Sequence, residues 1–292
     1  MLDRGTIALP SSDSALRIQP LLRWAGGKQN LLKTLLQYLP DNASGRVYRE
    51  PFFGAGSLFF ALQPRVAYLS DANHHLIDCY KYIRSSPLEV CRYLATHKRK
   101  TSEEYYYTVR DQYNRLSSSL PQAARFLYLN RTCFNGIFRV NTKGKFNVPY
   151  GWKEPPKIPG SNLVCGVSQA LMNSELFAGE FDDALRDAKK HDFIYLDPPY
   201  PPLNETSFFA HYTKDRFSTM DQERLAETVK RLNRVGCSIL LSNADTFAVR
   251  RLYQDFRCEK VRVRRYITCK ARKHHVDELL ITNYEVRHEA YN

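Results

Sequence analysis

The chain has 292 residues, 43% of them hydrophobic, and a formal net charge of +13. That length builds one large domain, or one domain with a sizeable insertion, and the absence of low-complexity tracts excludes a disordered chain. No stretch approaches the roughly 18 apolar residues of a membrane-spanning helix and no signal-peptide core opens the chain, so no membrane association is expected.

Seven scattered cysteines without a C-x-x-C pair point to a reducing, cytoplasmic setting rather than a disulfide framework or a zinc site, and no metal site is expected. The charge is clustered. Residues 84–153 carry a net +9 and residues 249–275 a net +8, which leaves the remainder slightly acidic. Two basic segments on such a body fit a polyanion partner as well as a pair of solvated basic faces.

In chain order, residues 1–20 read as a loose tail and the leucine spacing of 30–39 predicts a helix. VYRE (47–50) is a short strand, SLFFAL (57–62) a helix and VAYLSD (66–71) a second strand with an acid at its end. Helical patterns dominate 73–131, and 137–148 predict a β-hairpin around Lys143-Gly144. A proline-rich connector (154–160), a helix near 161–173, a short strand at ELFAG and another helix lead to the strand FIYL (193–196). After a long loop (201–219) come a helix (220–234), a strand (237–243), a helix (246–256), a basic strand (258–266), a basic loop (267–275) and a last strand (276–286). This alternation predicts an α/β fold: a doubly wound, mostly parallel, Rossmann-like sheet with helices on both faces. The last two strands, joined by a loop alone, must be antiparallel. The helical, basic stretch in the middle reads as an inserted lobe.

Four stretches carry candidate chemistry. PFFGAGSLFF places Gly54 and Gly56 between a strand and a helix, where glycines let the backbone approach a ligand. Asp71 ends the next strand, where a carboxylate can accept two ribose hydroxyls; a mere tight turn is the other reading. RWAGGKQNLL is not a phosphate loop, because Leu22 and Gln29 stand where Gly and Ser or Thr are needed. Lys28 behind the Gly26-Gly27 turn could still hold a carboxylate.

DPPY (197–200) puts Asp197 at a strand end. Pro198 and Pro199 fix the turn, and the Pro198 carbonyl is kept out of a helix. One carboxylate beside one free carbonyl matches the two donors of a planar amino group, and Tyr200 offers a stacking face. Finally, residues 126–151 set Asn130, Arg131, Asn135, Arg139, Asn141, Lys143, Lys145 and Asn147 among aromatic residues, a mixture suited to base edges and phosphates.

Taken together, RWAGGK, REPFFGAGSLFF, LSDANHHLI, LDPPY, LYLNRTCFNGIFRVNTKGKFNVPYG, ILLSNADT and VDELLITNY resemble the Dam family of DNA adenine-N6 methyltransferases (the D12 class), in family order from about 21 to 285. The resemblance implies S-adenosylmethionine as methyl donor, double-stranded DNA as substrate and GATC as recognition sequence. It implies Asp197, Pro198, Pro199 and Tyr200 as the catalytic motif, and Trp24, Lys28, Phe52, Gly54, Gly56, Asp71 and Asp197 around the cofactor. Arg139 matches the base-reading arginine, with Ile137, Asn141, Asn147 and Pro149 beside it. Phe134 and Asn135 match residues inserted where an adenine has flipped out. Arg23 stands where many members carry a lysine, Trp152-Lys153 where many carry Arg-Tyr, and Thr268–Ala271 replace a more polar loop.

The implied division is a discontinuous catalytic domain (21–78 and 174–286) around a target-recognition domain (79–173). The implied setting is the cytoplasm, on the nucleoid, with a cognate restriction endonuclease as a possible partner. Two alternatives stand beside this one: cytosine-N4 methylation, and a DNA-binding protein with an inactive cofactor site. The lack of a Pro-Cys pair argues against cytosine-C5 chemistry.

Overall fold

Continuous apolar runs such as FIYL are what a strand covered on both faces requires, and they build the centre of this molecule. The computed structural model describes residues 18–151, 157–201, 217–266 and 273–286. Its strands are β1 (Val47–Glu50), β2 (Val66–Asp71), β3 (Ser174–Ala178), β4 (Phe193–Leu196), β5 (Ser238–Ala244), β6 (Arg257–Tyr266) and β7 (Lys273–Thr282). They form one sheet in the order β3-β2-β1-β4-β5-β7-β6. The first five are mutually parallel, and β7 runs antiparallel to both β5 and β6. The chain steps outward from β1 to β3 on one side and from β4 to β5 on the other. The β1/β4 junction is therefore the topological switch point, where a ligand crevice opens at the carboxyl ends of the strands.

Side chains along the central strands alternate between two cores, as the two-residue period demands. Phe193, Tyr195, Leu240 and Leu280 join one core; Ile194, Leu196, Ile239, Leu241, Leu279 and Ile281 join the other. The first core receives α1 (Leu32–Gln37), α2 (Ser57–Leu62), α3 (His74–Ser85), α4 (Pro87–Arg99), α5 (Glu103–Tyr113), α6 (Leu120–Thr132) and α7 (Ser161–Leu171). The second receives α8 (Phe181–Ala184), α9 (Thr219–Val235) and α10 (Phe247–Leu252). Helix α9 starts and stops on local chemistry. Ser218 and Asp221 form a reciprocal capping box, and Gly236 adopts φ 91° at the C-terminus.

Two expectations change in detail. The hairpin at 137–148 has no ladder: a single bridge, Val140 to Phe146, closes it, and a second bridge joins Cys133 to Tyr150. Its turn is shaped by a side chain instead, because Asn141 Oδ1 accepts from the Lys143 and Lys145 amides at 2.9 and 3.0 Å. The last strand begins at Lys273 and ends at Thr282, so part of the expected basic loop is strand. The 1–17 part of the tail, Trp152–Pro156, most of the 201–219 loop and Thr268–Ala271 lie outside the described residues.

Beneath the amino ends of the strands sits a buried ion pair. Arg49 Nε donates to Asp192 Oδ2 at 2.7 Å, and its other nitrogens reach the carbonyls of Ala184 and Asp187. The guanidinium thus ties β1 to the approach of β4. Removing one partner strands the other charge in the interior. Arg49→Leu should therefore cost about 3–5 kcal/mol of unfolding free energy in urea titrations. Adding Asp192→Leu should recover much of that; a single variant as stable as wild type would refute the clamp.

Candidate active site

Acids mark the carboxyl ends of three adjacent strands. Glu50 closes β1, Asp71 closes β2 and Asp197 follows β4. All three line a cavity of about 710 Å³ that also takes in Trp24, Lys28, Phe52, Gly54, Gly56, Pro198, Pro199 and Tyr200. Every residue expected around the cofactor, and the whole catalytic motif, is thus brought to one cavity.

The FFGAG turn needs its glycines. Gly54 and Gly56 have φ of +49° and +67°, a region that side-chain-bearing residues seldom occupy. A Cβ on Gly54 would lie 2.9 Å from Trp24 Cδ1, and one on Gly56 would lie 2.6 Å from the Phe53 ring. Asp71 holds this turn in place. Its Oδ2 accepts from the Gly54 amide at 2.9 Å and its Oδ1 from the Asn73 amide at 2.9 Å. Each oxygen keeps a second lone pair, so the carboxylate can serve both the loop and a ligand.

The DPPY turn is held from several sides. Asp197 Oδ1 lies 2.7 Å from Lys28 Nζ and accepts from Ser242 Oγ on β5 at 2.9 Å. Gln222 on α9 donates to the Pro199 carbonyl at 2.9 Å, and Asn243 holds Gln222 in turn at 3.1 Å. Among the described residues the Pro198 carbonyl accepts no hydrogen bond, so the expected pair of acceptors is present. Tyr200 donates its hydroxyl to Glu278 Oε2 on β7 at 2.7 Å, and Lys28 Nζ sits 4.7 Å from its ring centre. Lys28, expected at the methionine end of a cofactor, therefore contacts the catalytic motif itself.

Crowding three carboxyls out of water has a cost. Burial raises the Asp197 carboxyl above its ordinary range, although Lys28 and Ser242 oppose the shift. Burial also raises Asp71, and lifts Glu50 well up despite the Tyr48 hydroxyl bonded to it at 2.8 Å. Such a site favours a cationic ligand, whose charge relieves the carboxylates. One wall is aromatic: Phe52, Phe181 and Phe217 lie within 5.6–5.8 Å of one another, centroid to centroid.

Sequence reasoning missed Glu50, Phe181, Ser242 and Glu278. Glu50 carries the same signal that marked Asp71, an acid at the end of a parallel strand. The others carry none short of the sheet order.

The basic segment forms a second surface beside the cavity. Phe134, Asn135, Ile137, Arg139, Asn141 and Pro149 are exposed, and Asn147 is half-buried. Asn135 takes φ 55°, which turns the chain sharply at its exposed tip. Arg139 Nε donates to Asn147 Oδ1 at 2.9 Å, and the Phe134 amide donates to the Pro149 carbonyl at 2.9 Å. Asn141 spends its side-chain oxygen on the turn.

Asn130, grouped with the base-reading residues in the sequence, is a buried clamp. It accepts from the Arg23 amide at 2.9 Å and donates to the Arg23 and Gly136 carbonyls at 2.7 and 3.2 Å. Arg23 then packs on Gly136, where a Cβ would meet Arg23 Cβ at 2.5 Å. Trp24 joins the two surfaces, touching the Gly54 turn on one side and stacking 6.0 Å from Phe138 on the other.

A family described as D12 class N6 adenine-specific DNA methyltransferase matches residues 24–267. A type II methyltransferase of Lactococcus lactis subsp. cremoris, M1.LlaDCHI, is 38% identical over 276 residues, covering 92% of this chain and 96% of that protein. M.MjaIII of Methanocaldococcus jannaschii is 37% identical over 291 residues, covering 92% and 100%. The DNA adenine methylase of Escherichia coli K12 is 34% identical over 263 residues, covering 89% and 93%. The match spans most of the chain and the family acts at adenine N6, which sets aside cytosine N4. The chain belongs to the D12 class of N6 adenine-specific DNA methyltransferases.

Proposed function

We propose that the protein transfers a methyl group from S-adenosylmethionine to N6 of an adenine flipped out of double-stranded DNA, within GATC. The observation that carries this reading is the pair of acceptors at Asp197 and Pro198, beside the Tyr200 ring, in a cavity that fits the cofactor. The fit rests on the donor set. One buried and two half-buried carboxyls suit the positive sulfonium and ammonium groups, and the FFGAG turn needs glycine where the ligand would approach. Asp71 would take the ribose, the wall that Phe52 and Phe181 form would lie against the adenine ring, and Trp24 and Lys28 would face the methionine end. Bound there, the cofactor supplies an electrophilic methyl group.

The protein does the rest by placement. The target nitrogen lies inside the duplex, so the base must leave the stack. Phe134 and Asn135, exposed at the tip of their turn, would fill the space it leaves. Tyr200 would stack on the extruded base, while the Asp197 carboxylate and the Pro198 carbonyl accept its two N–H bonds. Those bonds favour the tetrahedral nitrogen of the transition state, the differential effect that speeds chemistry. Arg139, with Asn147 beside it, Ile137, Asn141 and Pro149 would read the surrounding bases and backbone from residues 79–173, the recognition part, joined by Arg23 from the N-terminal motif. A cognate restriction endonuclease acting on the same site is part of the proposal, because relatives of this length are named type II methyltransferases.

Three outcomes test it. Asp197→Ala should lower kcat by about two to three orders of magnitude while leaving DNA binding largely intact in gel-shift titrations; full activity would remove Asp197 from the mechanism. Arg139→Ala should cost about 1–3 kcal/mol at one base position and relax specificity there, read by sequencing methylated DNA from expressing cells. An equal loss on every sequence would make it a phosphate contact, and methylation confined to another motif would remove GATC.

The third concerns pH. Ionised, Asp197 is an acceptor at both oxygens; protonated, it is a weaker acceptor and carries a donor of its own, and burial raises its pKa. Activity should therefore fall, as pH drops, above the ordinary carboxylate range. Lys28 holds that pKa down, so in Lys28→Met the acid limb of kcat at saturating substrates should move to higher pH. A limb that stays in place would show that a different group titrates.

A further inference from the structure

The motif VDELLITNY belongs to the resemblance, yet the proposed chemistry leaves it without a task. From Asp277 to Tyr284 the structure accounts for nearly all of it. Leu279, Leu280 and Ile281 fill the two cores. Asp277 pairs with Lys260 at 2.6 Å. Asn283 accepts from the Ile239 amide and donates to the Cys237 carbonyl, both at 2.8 Å, which fixes the start of β5. Tyr284 donates to the Tyr38 carbonyl at 2.8 Å.

Glu278 is different. It is 1% exposed, in a strand whose other buried side chains from Leu279 to Ile281 are aliphatic. A carboxyl that deep is costly without a partner. The partner is the catalytic motif: Glu278 Oε2 accepts the Tyr200 hydroxyl at 2.7 Å.

We infer that Glu278 is a positioning residue for methyl transfer, fixing the plane of the Tyr200 ring by anchoring its hydroxyl. This rests on the reading of Tyr200 as the platform for the flipped base. Two prolines fix the backbone before Tyr200 but leave its ring free to swing about its side-chain torsions. A hydrogen bond at the far end of the ring removes that freedom. The sheet makes the bond available, since Glu278 pairs in register with Ala244 at the end of β5, beside the strand that carries Ser242 and its bond to Asp197. Ser242 and Glu278 thus hold the two working parts of DPPY, the acceptor and the platform, from neighbouring strands.

Steady-state kinetics on a GATC duplex with S-adenosylmethionine test this through four variants. Tyr200→Phe deletes the bond without touching β7 and should lower kcat roughly tenfold, the loss expected when a buried acceptor is left without its donor, with little change in KM for the cofactor. Glu278→Ala should fall to a similar level, and Glu278→Gln, which keeps an acceptor, should retain kcat within about threefold. The double variant Glu278→Ala/Tyr200→Phe should lose far less than the product of the two single losses, because the two side chains share that bond.

Full kcat in Tyr200→Phe overturns the inference, as do multiplying losses in the double variant or a Gln variant as impaired as Ala. A Glu278→Ala chain that does not fold leaves the decision to Tyr200→Phe and Glu278→Gln. Tyr200→Ala separates the two levels. Unchanged kcat there means that stacking itself is wrong, whereas a large loss beside an intact Tyr200→Phe means that stacking holds and the Glu278 anchor does not.

Discussion

The site depends on holding one half-buried carboxylate still. Asp197 sits where burial works against its charge, and two contacts keep it in place: the Lys28 ammonium from the N-terminal motif and the Ser242 hydroxyl from β5. Each contact comes from a different part of the chain, so the catalytic turn is assembled only when the sheet is complete. The same is true of Asp71, whose carboxylate closes the FFGAG turn before any ligand arrives. The acids at the switch point thus work twice, first as tethers for loops and then as the cavity's electrostatic lining.

A second division runs through the asparagines. Asn130, Asn141 and Asn147 fall within one basic stretch, and composition alone treats them alike. Their partners separate them. Asn130 is enclosed and clamps the Arg23 backbone to Gly136, while Asn141 shapes a turn with its side-chain oxygen. Asn147 instead orients the Arg139 guanidinium on an open surface. Asn130 and Asn141 brace this basic surface from within, and Trp24 seats it against the FFGAG turn through Phe138 and Gly54. Gly54 and Phe138 are therefore neighbours through Trp24, although more than 80 residues separate them in the chain.

How much of this was legible in the sequence follows from what each residue type constrains. The ends of β1, β2 and β4, the FFGAG turn and DPPY were readable because Gly and Pro declare backbone geometry, and because an acid at the end of a parallel strand has few other uses. Glu50 obeys the same rule but stands inside a motif known for its glycines, which masked it. The 137–148 segment carries hairpin residues yet forms one bridge, since Asn141 satisfies amides that a ladder would otherwise take. Ser242 and Glu278 were beyond reach for another reason. Their importance comes from the order β4-β5-β7, and strand order is not written in local periodicity.

That order explains why β7 runs backwards. A parallel strand beyond β5 would bring to the catalytic edge only its carboxyl end and the loop after it, where the chain is leaving the sheet. An antiparallel strand passes the edge early and then continues into the core, so a residue near its middle can stand level with the end of its neighbour. Glu278 opposite Ala244 is that case. It is held by ladder hydrogen bonds between β5 and β6, with apolar side chains after it, so its carboxyl has little freedom of its own. A loop residue could reach Tyr200 as well, but it would carry its own motion to the ring. The reversal of one strand places a fixed acceptor under the platform, on the side of the turn away from β1, while the parallel strands leave the β1/β4 side open for ligands.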